Sequence, residues 1–145
     1  MALTGTFLRS LDEKQRLAIP RALRDELGIE DPGLLYVAPG MDHSVAVYSE
    51  AAFQALAARL AEQSPSRSDV RTYLRLFYAR AEKVGLDSQG RIRIPERLAS
   101  FAELRHEVVL LGVHEHMEVW DRESWRRFLE KHNDSFDEMA ARAFE

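Results

Sequence analysis

A fourteen-residue stretch of this chain occurs twice, and that duplication constrains the fold more than any other feature. Residues 11–24 align without a gap with residues 86–99, at an offset of 75. Six of the fourteen pairs are identical: Leu11/Leu86, Asp12/Asp87, Arg16/Arg91, Ile19/Ile94, Pro20/Pro95 and Leu23/Leu98. The likeness continues downstream. Apolar runs at 34–37 and 108–113 correspond, and Val45-Ala46-Val47-Tyr48 corresponds to Met117-Glu118-Val119-Trp120. Each is followed by a helix-capping residue, Ser49 or Asp121, and then by a helical stretch with an aromatic, Phe53 or Trp125. The same order of elements in both halves reads as a duplicated module.

Each module is legible physically. Alternation around Leu17-Ala18-Ile19 and Ile92-Arg93-Ile94 predicts half-buried strands. The Asp-x-x-Gly-Arg pattern before the second predicts a tight hairpin turn, with Asp87 bonding its own backbone and Gly90 supplying positive φ. Pro20 and Pro95 suit the first turn of short helices, the first of which stops at Gly28. A second hairpin spans about 34–48 in one copy and 107–120 in the other, and a longer helix closes each. Between the copies, Gln63 to Ser68 form a loop; Val70, Tyr73, Leu74 and Phe77 then give one apolar helical face. The expected organisation is a first module over 1–62, a linker and connecting helix over 63–80, a second module over 81–132 and a tail over 133–145. In the tail, Phe136, Met139, Ala140 and Phe144 suit a final amphipathic turn or two, or a frayed end.

Charge is unevenly spread. The net charge is -4. Residues 9–24 nevertheless hold Arg9, Lys14, Arg16, Arg21 and Arg24 against Asp12 and Glu13, while residues 115–145 carry nine acidic and five basic side chains. A local basic surface on an acidic chain is compatible with nucleic acid, because a phosphate meets the local field. The absence of cysteine excludes disulfides, thiolate metal sites and a thiol nucleophile. No leader pattern and no apolar stretch of about 20 residues is visible, so a cytoplasmic protein is expected. Neither a phosphate-cradling glycine loop nor a His-Glu-x-x-His appears, so no enzyme, cofactor or small-molecule substrate is expected. His114 and His116 share a strand face, but without a third placed ligand they do not amount to a metal site.

The doubled pattern Leu-Asp-x-x-x-Arg-(Leu/Ile)-x-Ile-Pro resembles the MraZ family of transcriptional regulators, of the AbrB-like swapped-hairpin class. Gly40 to Tyr48, Val109 to Val113 and Glu118 to Asp121 resemble that family's second hairpins, so the likeness covers about 5–130. The resemblance implies an α+β fold of two tandem AbrB-like modules, interlocked into one β-barrel-like unit with peripheral helices. It implies a homo-oligomeric ring on double-stranded DNA, at short G-rich direct repeats upstream of a cell-division and cell-wall gene cluster that it represses. A nucleoid-associated protein follows, without membrane attachment. The expected DNA-binding residues are Arg16, which can address a guanine edge or a phosphate bidentately, and Lys14 as a point charge. Arg9, Arg21 and Arg24 add phosphate contacts, and Arg91 is the second copy's counterpart of Arg16. The plainer reading of Arg16 and Arg91 is that they brace their own turns by pairing with aspartate. Gln15 departs from the pattern, standing where the second copy has Gly90. The alternative function is a protein-interaction module of antitoxin-like or scaffold type on the same fold.

Overall fold

The strands flanking each repeated turn do not pair with one another. The computed structural model describes residues 2–28 and 33–145. In it, β1 (Thr6–Ser10) enters the first turn and β2 (Arg16–Ala18) leaves it. In the second half β5 (Glu82–Gly85) and β6 (Arg91–Arg93) play the same parts. The remaining strands are β3 (Leu34–Pro39), β4 (Val45–Ser49), β7 (Glu107–Val113) and β8 (His116–Asp121). They form an antiparallel six-stranded sheet in the order β1-β7-β8-β4-β3-β5, while β2 and β6 make a separate two-stranded ribbon. Exchanging the halves maps β1 to β5, β3 to β7 and β4 to β8, and returns the same order reversed. The fold thus carries an internal pseudo-twofold axis, with first-half strands laddered on second-half strands at β1–β7, β3–β5, β4–β8 and β2–β6.

The α+β class is as expected, but the barrel-like closure is not. The sheet stays open, with β1 and β5 as its edges. The ribbon strands are three residues long and run into Ile19-Pro20 and Ile94-Pro95. Proline offers no N–H to extend a ladder, so the ribbon is too short to bridge the two edges.

Alternation along the strands builds two apolar layers. Leu35, Val37, Val45 and Val47 join Leu110, Met117 and Val119 in the main core. Leu17 and Ile92 enter it from the ribbon, and Leu23 and Leu98 from α1 (Arg21–Leu27) and α4 (Glu96–Phe101). The opposite face holds two smaller clusters. Ala38, Phe53 and Phe77 gather under α2 (Glu50–Ala61) and α3 (Ser68–Arg80), with Tyr36 and Tyr48 against them. Val109, Leu111 and Trp120 gather under α5 (Arg122–His132), with Trp125 and Phe128. Tyr48 and Trp120 therefore pack, as their matching positions suggest.

Local chemistry sets the boundaries. Ser49 and Asp121 cap α2 and α5 by accepting from Ala52 N and Glu123 N. Gly28 ends α1 at φ +63. Pro20 and Pro95 stand one place earlier than expected, as N-caps with extended ψ rather than as first helical residues. On α3 only Phe77 of the expected apolar face is buried, and Tyr73 stays exposed. The tail is a 3-10 turn (Asn133–Ser135) followed by α6 (Phe136–Ala143). Among the described residues, no helix is long and apolar enough to cross a membrane.

Candidate nucleic-acid interface

The two repeated turns are near-copies in three dimensions. Asp12 Oδ1 accepts from the Lys14 and Arg16 amides at 2.9 Å each, and its Oδ2 accepts from Arg16 Nε at 2.5 Å. Asp87 does the same with the Gln89 and Arg91 amides at 2.9 Å and with Arg91 Nε at 2.8 Å. These N–H groups, led by the Arg16 amide for Asp12 and the Arg91 amide for Asp87, hold both carboxyls below the ordinary aspartate range against a smaller opposing effect of desolvation. The fourth turn position is left-handed in both copies, at φ +61 for Gln15 and +75 for Gly90. Gln15 therefore keeps the turn that glycine would favour, at a strain of about 1 kcal/mol.

Each turn is then completed by the other half. Ile19 N donates to Gly90 O at 3.0 Å, and Ile94 N donates to Gln15 O at 2.9 Å. Between these bonds the ribbon pairs Arg16 with Arg93, Leu17 with Ile92, and Ala18 with Arg91. Since side chains alternate across a strand, the fully buried Leu17 and Ile92 fix the outward face. That face presents Arg16, Ala18, Arg91 and Arg93, with Lys14 exposed on the adjoining turn. Arg93 was missed in the sequence because its repeat counterpart is Ala18, and the comparison favoured matched residues. Period-two alternation about Ile92 would have placed it beside Arg91.

The two motif arginines are not equivalent. Arg16 has a third of its side chain exposed, and among the described residues no hydrogen bond engages its terminal nitrogens. Arg91 is further drawn in, with Nη1 at 3.7 Å from Asp12 Oδ2 in addition to its own Asp87. Both arginines brace their turns, and Arg16 keeps more of its fork free. Arg24 is occupied differently: its Nε donates to Ile19 O at 3.1 Å and its guanidinium lies against Gly90. Arg9 folds over Phe7 on the edge strand and donates to Leu8 O. Arg21, at the start of α1, stands 4.0 Å from Asp25. The geometry thus gathers Lys14, Arg16, Arg91 and Arg93 on one surface, anchors Arg24 behind it, and shows no contact of Arg9 or Arg21 with that surface among the described residues.

The histidines do not form a comparable centre. His114 sits in the hairpin turn at φ +60, and His116 Nε2 pairs with Glu118 Oε2 at 2.9 Å.

A family model described as "MraZ protein, putative antitoxin-like" matches residues 2–76 and again residues 77–145. The chain belongs to the MraZ family. Curated relatives bearing the name "Transcriptional regulator MraZ" align along nearly their whole length. The Finegoldia magna protein is 33% identical over 134 residues, covering 92% of this chain and 91% of its own. The Corynebacterium jeikeium protein is 39% identical over the same length and coverage. That of Mycobacterium tuberculosis is 36% identical over 132 residues, 91% of this chain and 90% of its own. The two matches of the MraZ model correspond to the two halves related by the pseudo-twofold axis, each with one Asp–Arg turn.

Proposed function

We propose that this chain is a sequence-specific DNA-binding transcriptional regulator whose reading surface is the outward face of the β2–β6 ribbon. The observation that carries this is the triad Arg16, Arg91 and Arg93 on a two-stranded ribbon whose other face is locked in the core. The major groove, about 12 Å wide, admits such a ribbon, and guanidinium forks pair with guanine O6 and N7. A ribbon anchored in the core presents these forks without rearrangement. The relatives' shared name supports the regulatory role. The resemblance adds a repressor acting at short direct repeats before a cell-division and cell-wall gene cluster, as a ring in which several copies engage tandem sites. In that setting Lys14 supplies a phosphate contact, with Arg9 and Arg21 beyond the ribbon and Arg24 on its flank.

A gel shift with the DNA preceding the chain's own coding region tests the reading, with and without a direct repeat. Shifted complexes that weaken steeply with salt and need the repeat support it. A protein that shifts no DNA, yet is retained by a protein partner irrespective of Arg16, supports the antitoxin-like or scaffold alternative.

A further inference from the structure

Five non-glycine residues among those described hold a positive φ. Asp42, His43 and His114 stand at hairpin tips, and aspartate and histidine enter that region comparatively readily. Glu103 stands just beyond the end of α4. Gln15 is the one on the candidate reading surface, between Lys14 and Arg16 at φ +61. Glutamine has no such tolerance, and the other turn has Gly90 at the same place. Strained residues persist where their surroundings hold them, and they gather at sites of function.

The surroundings hold the backbone of Gln15 from both sides. Its N–H donates to Asp12 O at 3.0 Å, and its carbonyl accepts from Ile94 N at 2.9 Å. The side chain is left over. It is exposed, and among the described residues no hydrogen bond engages its amide. Gln15 lines an open hollow of about 710 Å³ together with Arg93 and Ala99. Arg93 in turn stands opposite Arg16 in the ribbon. Gln15, Arg16 and Arg93 thus collect at one end of the ribbon, whereas the other end has Gly90, Arg91 and Ala18.

Charge bears on what the amide meets. Glu96 and Glu103 offset Arg93 and Arg127 around the hollow, so its field gives a phosphate little net attraction. A base edge carries no net charge and is matched by geometry instead. A carboxamide fits adenine in the major groove as a guanidinium fits guanine: its oxygen accepts from N6 while its NH2 donates to N7.

We propose that Gln15 is a base-reading residue that selects an adenine beside the guanine addressed by the ribbon arginines at this end. The proposal rests on the ribbon being the DNA-reading surface. Glycine at position 15 would relax the turn and read nothing. Glutamine keeps the strain and adds one base to the recognised sequence.

Selection from duplexes carrying a central randomised segment, with the full chain at one salt concentration, tests it. The wild type is expected to prefer adenine at one position beside a guanine by about 5- to 150-fold, the worth of a single bidentate contact. Gln15→Gly is expected to keep the guanine positions and lose the preference at that one, with circular dichroism and light scattering unchanged. Gln15→Glu keeps the shape but can only accept, and is expected to move the preference there from adenine to cytosine, whose N4 donates. An adenine preference retained by Gln15→Gly, a uniform loss at every position, or a wild type that selects guanines without adenine overturns the proposal and leaves the ribbon as the reading surface. If Gln15→Gly misfolds, Gln15→Glu decides, and retained adenine or no selection by that variant overturns the proposal. A wild type that selects no sequence overturns both this proposal and the DNA-reading function.

Discussion

The guanidinium of Arg24, on the first-half helix α1, lies on the α-carbon of Gly90 in the second half's turn. A Cβ built at Gly90 would meet Arg24 Cζ at 2.7 Å and Nη1 at 2.8 Å. The pseudo-twofold axis carries this pair onto Gln15 and Ala99, which line a common hollow. The two departures from the repeat thus stand at matching places: a long side chain at 24 lies over glycine at 90, and a small one at 99 shares a hollow with glutamine at 15.

Gly90→Ala is expected to lower stability by about 1–2 kcal/mol, chiefly from left-handed backbone strain. It also displaces Arg24 and weakens its bond to Ile19 O. In an Arg24→Ala background the loss is expected to shrink by about 0.5 kcal/mol or more, the coupling of two residues in contact. Urea unfolding of the four-member cycle measures this; equal losses in both backgrounds would show that the two residues do not interact.

Gln15→Gly should leave stability unchanged or raise it slightly. Relief of about 1 kcal/mol of strain opposes the roughly 0.5–1 kcal/mol that glycine adds to the freedom of the unfolded chain. The melting temperature reads the balance, and a clear fall would mean that the Gln15 side chain packs productively beside Ala99.

Alanine at each ribbon arginine should rank the DNA contacts. Arg16→Ala is expected to abolish the shift: one guanine contact is worth about 1–3 kcal/mol, and avidity across a multimer multiplies the loss. Arg93→Ala is expected to weaken binding clearly, because it faces outward opposite Arg16. Arg91→Ala should do less, being held by Asp87 and near Asp12. All three are compared at one salt concentration, with light scattering as the control. Wild-type binding by both Arg16→Ala and Arg93→Ala would remove the ribbon as the reading surface.

Acid should loosen the turns. Asp12 and Asp87 have pKa values lowered from 3.8. A depressed folded value contributes stability that is present above the unfolded pKa and lost as pH falls through the folded one. Melting temperature is therefore expected to fall below about pH 4, and the Asp12→Asn/Asp87→Asn variant, which has no such charge to lose, to show a flatter acid limb. Parallel acid limbs for the two proteins would show that other carboxylates govern the transition.

Local features were legible because local chemistry decides them. Asp12 and Asp87 bond the backbone two and four residues on, Ser49 and Asp121 cap helices, and Gly28 stops one; each needs only near neighbours in sequence. The pairing partners were not legible, since alternation around Leu17 and Ile92 marks a strand without saying which strand it meets. The sequence already set Arg91 below Arg16, because Ser88 and Gln89 stand where the first copy has Glu13 and Lys14; the proximity of Asp12 to Arg91, a contact between halves, is the part it could not show. Arg93 escaped for the complementary reason, because matching the copies draws attention to what they share.

The ribbon has a further consequence for the kind of DNA site that the proposed function calls for. Two identical modules around an axis would present the same face after half a turn, and such a face suits a palindrome. Here the axis relates Arg93 to Ala18, and Lys14 to Gln89. Joining the modules in one chain freed the halves to diverge, and the outward face now has a direction. A surface with polarity reads the same word again only when the word is repeated in the same orientation, so under the function proposed above direct repeats suit it better than palindromes.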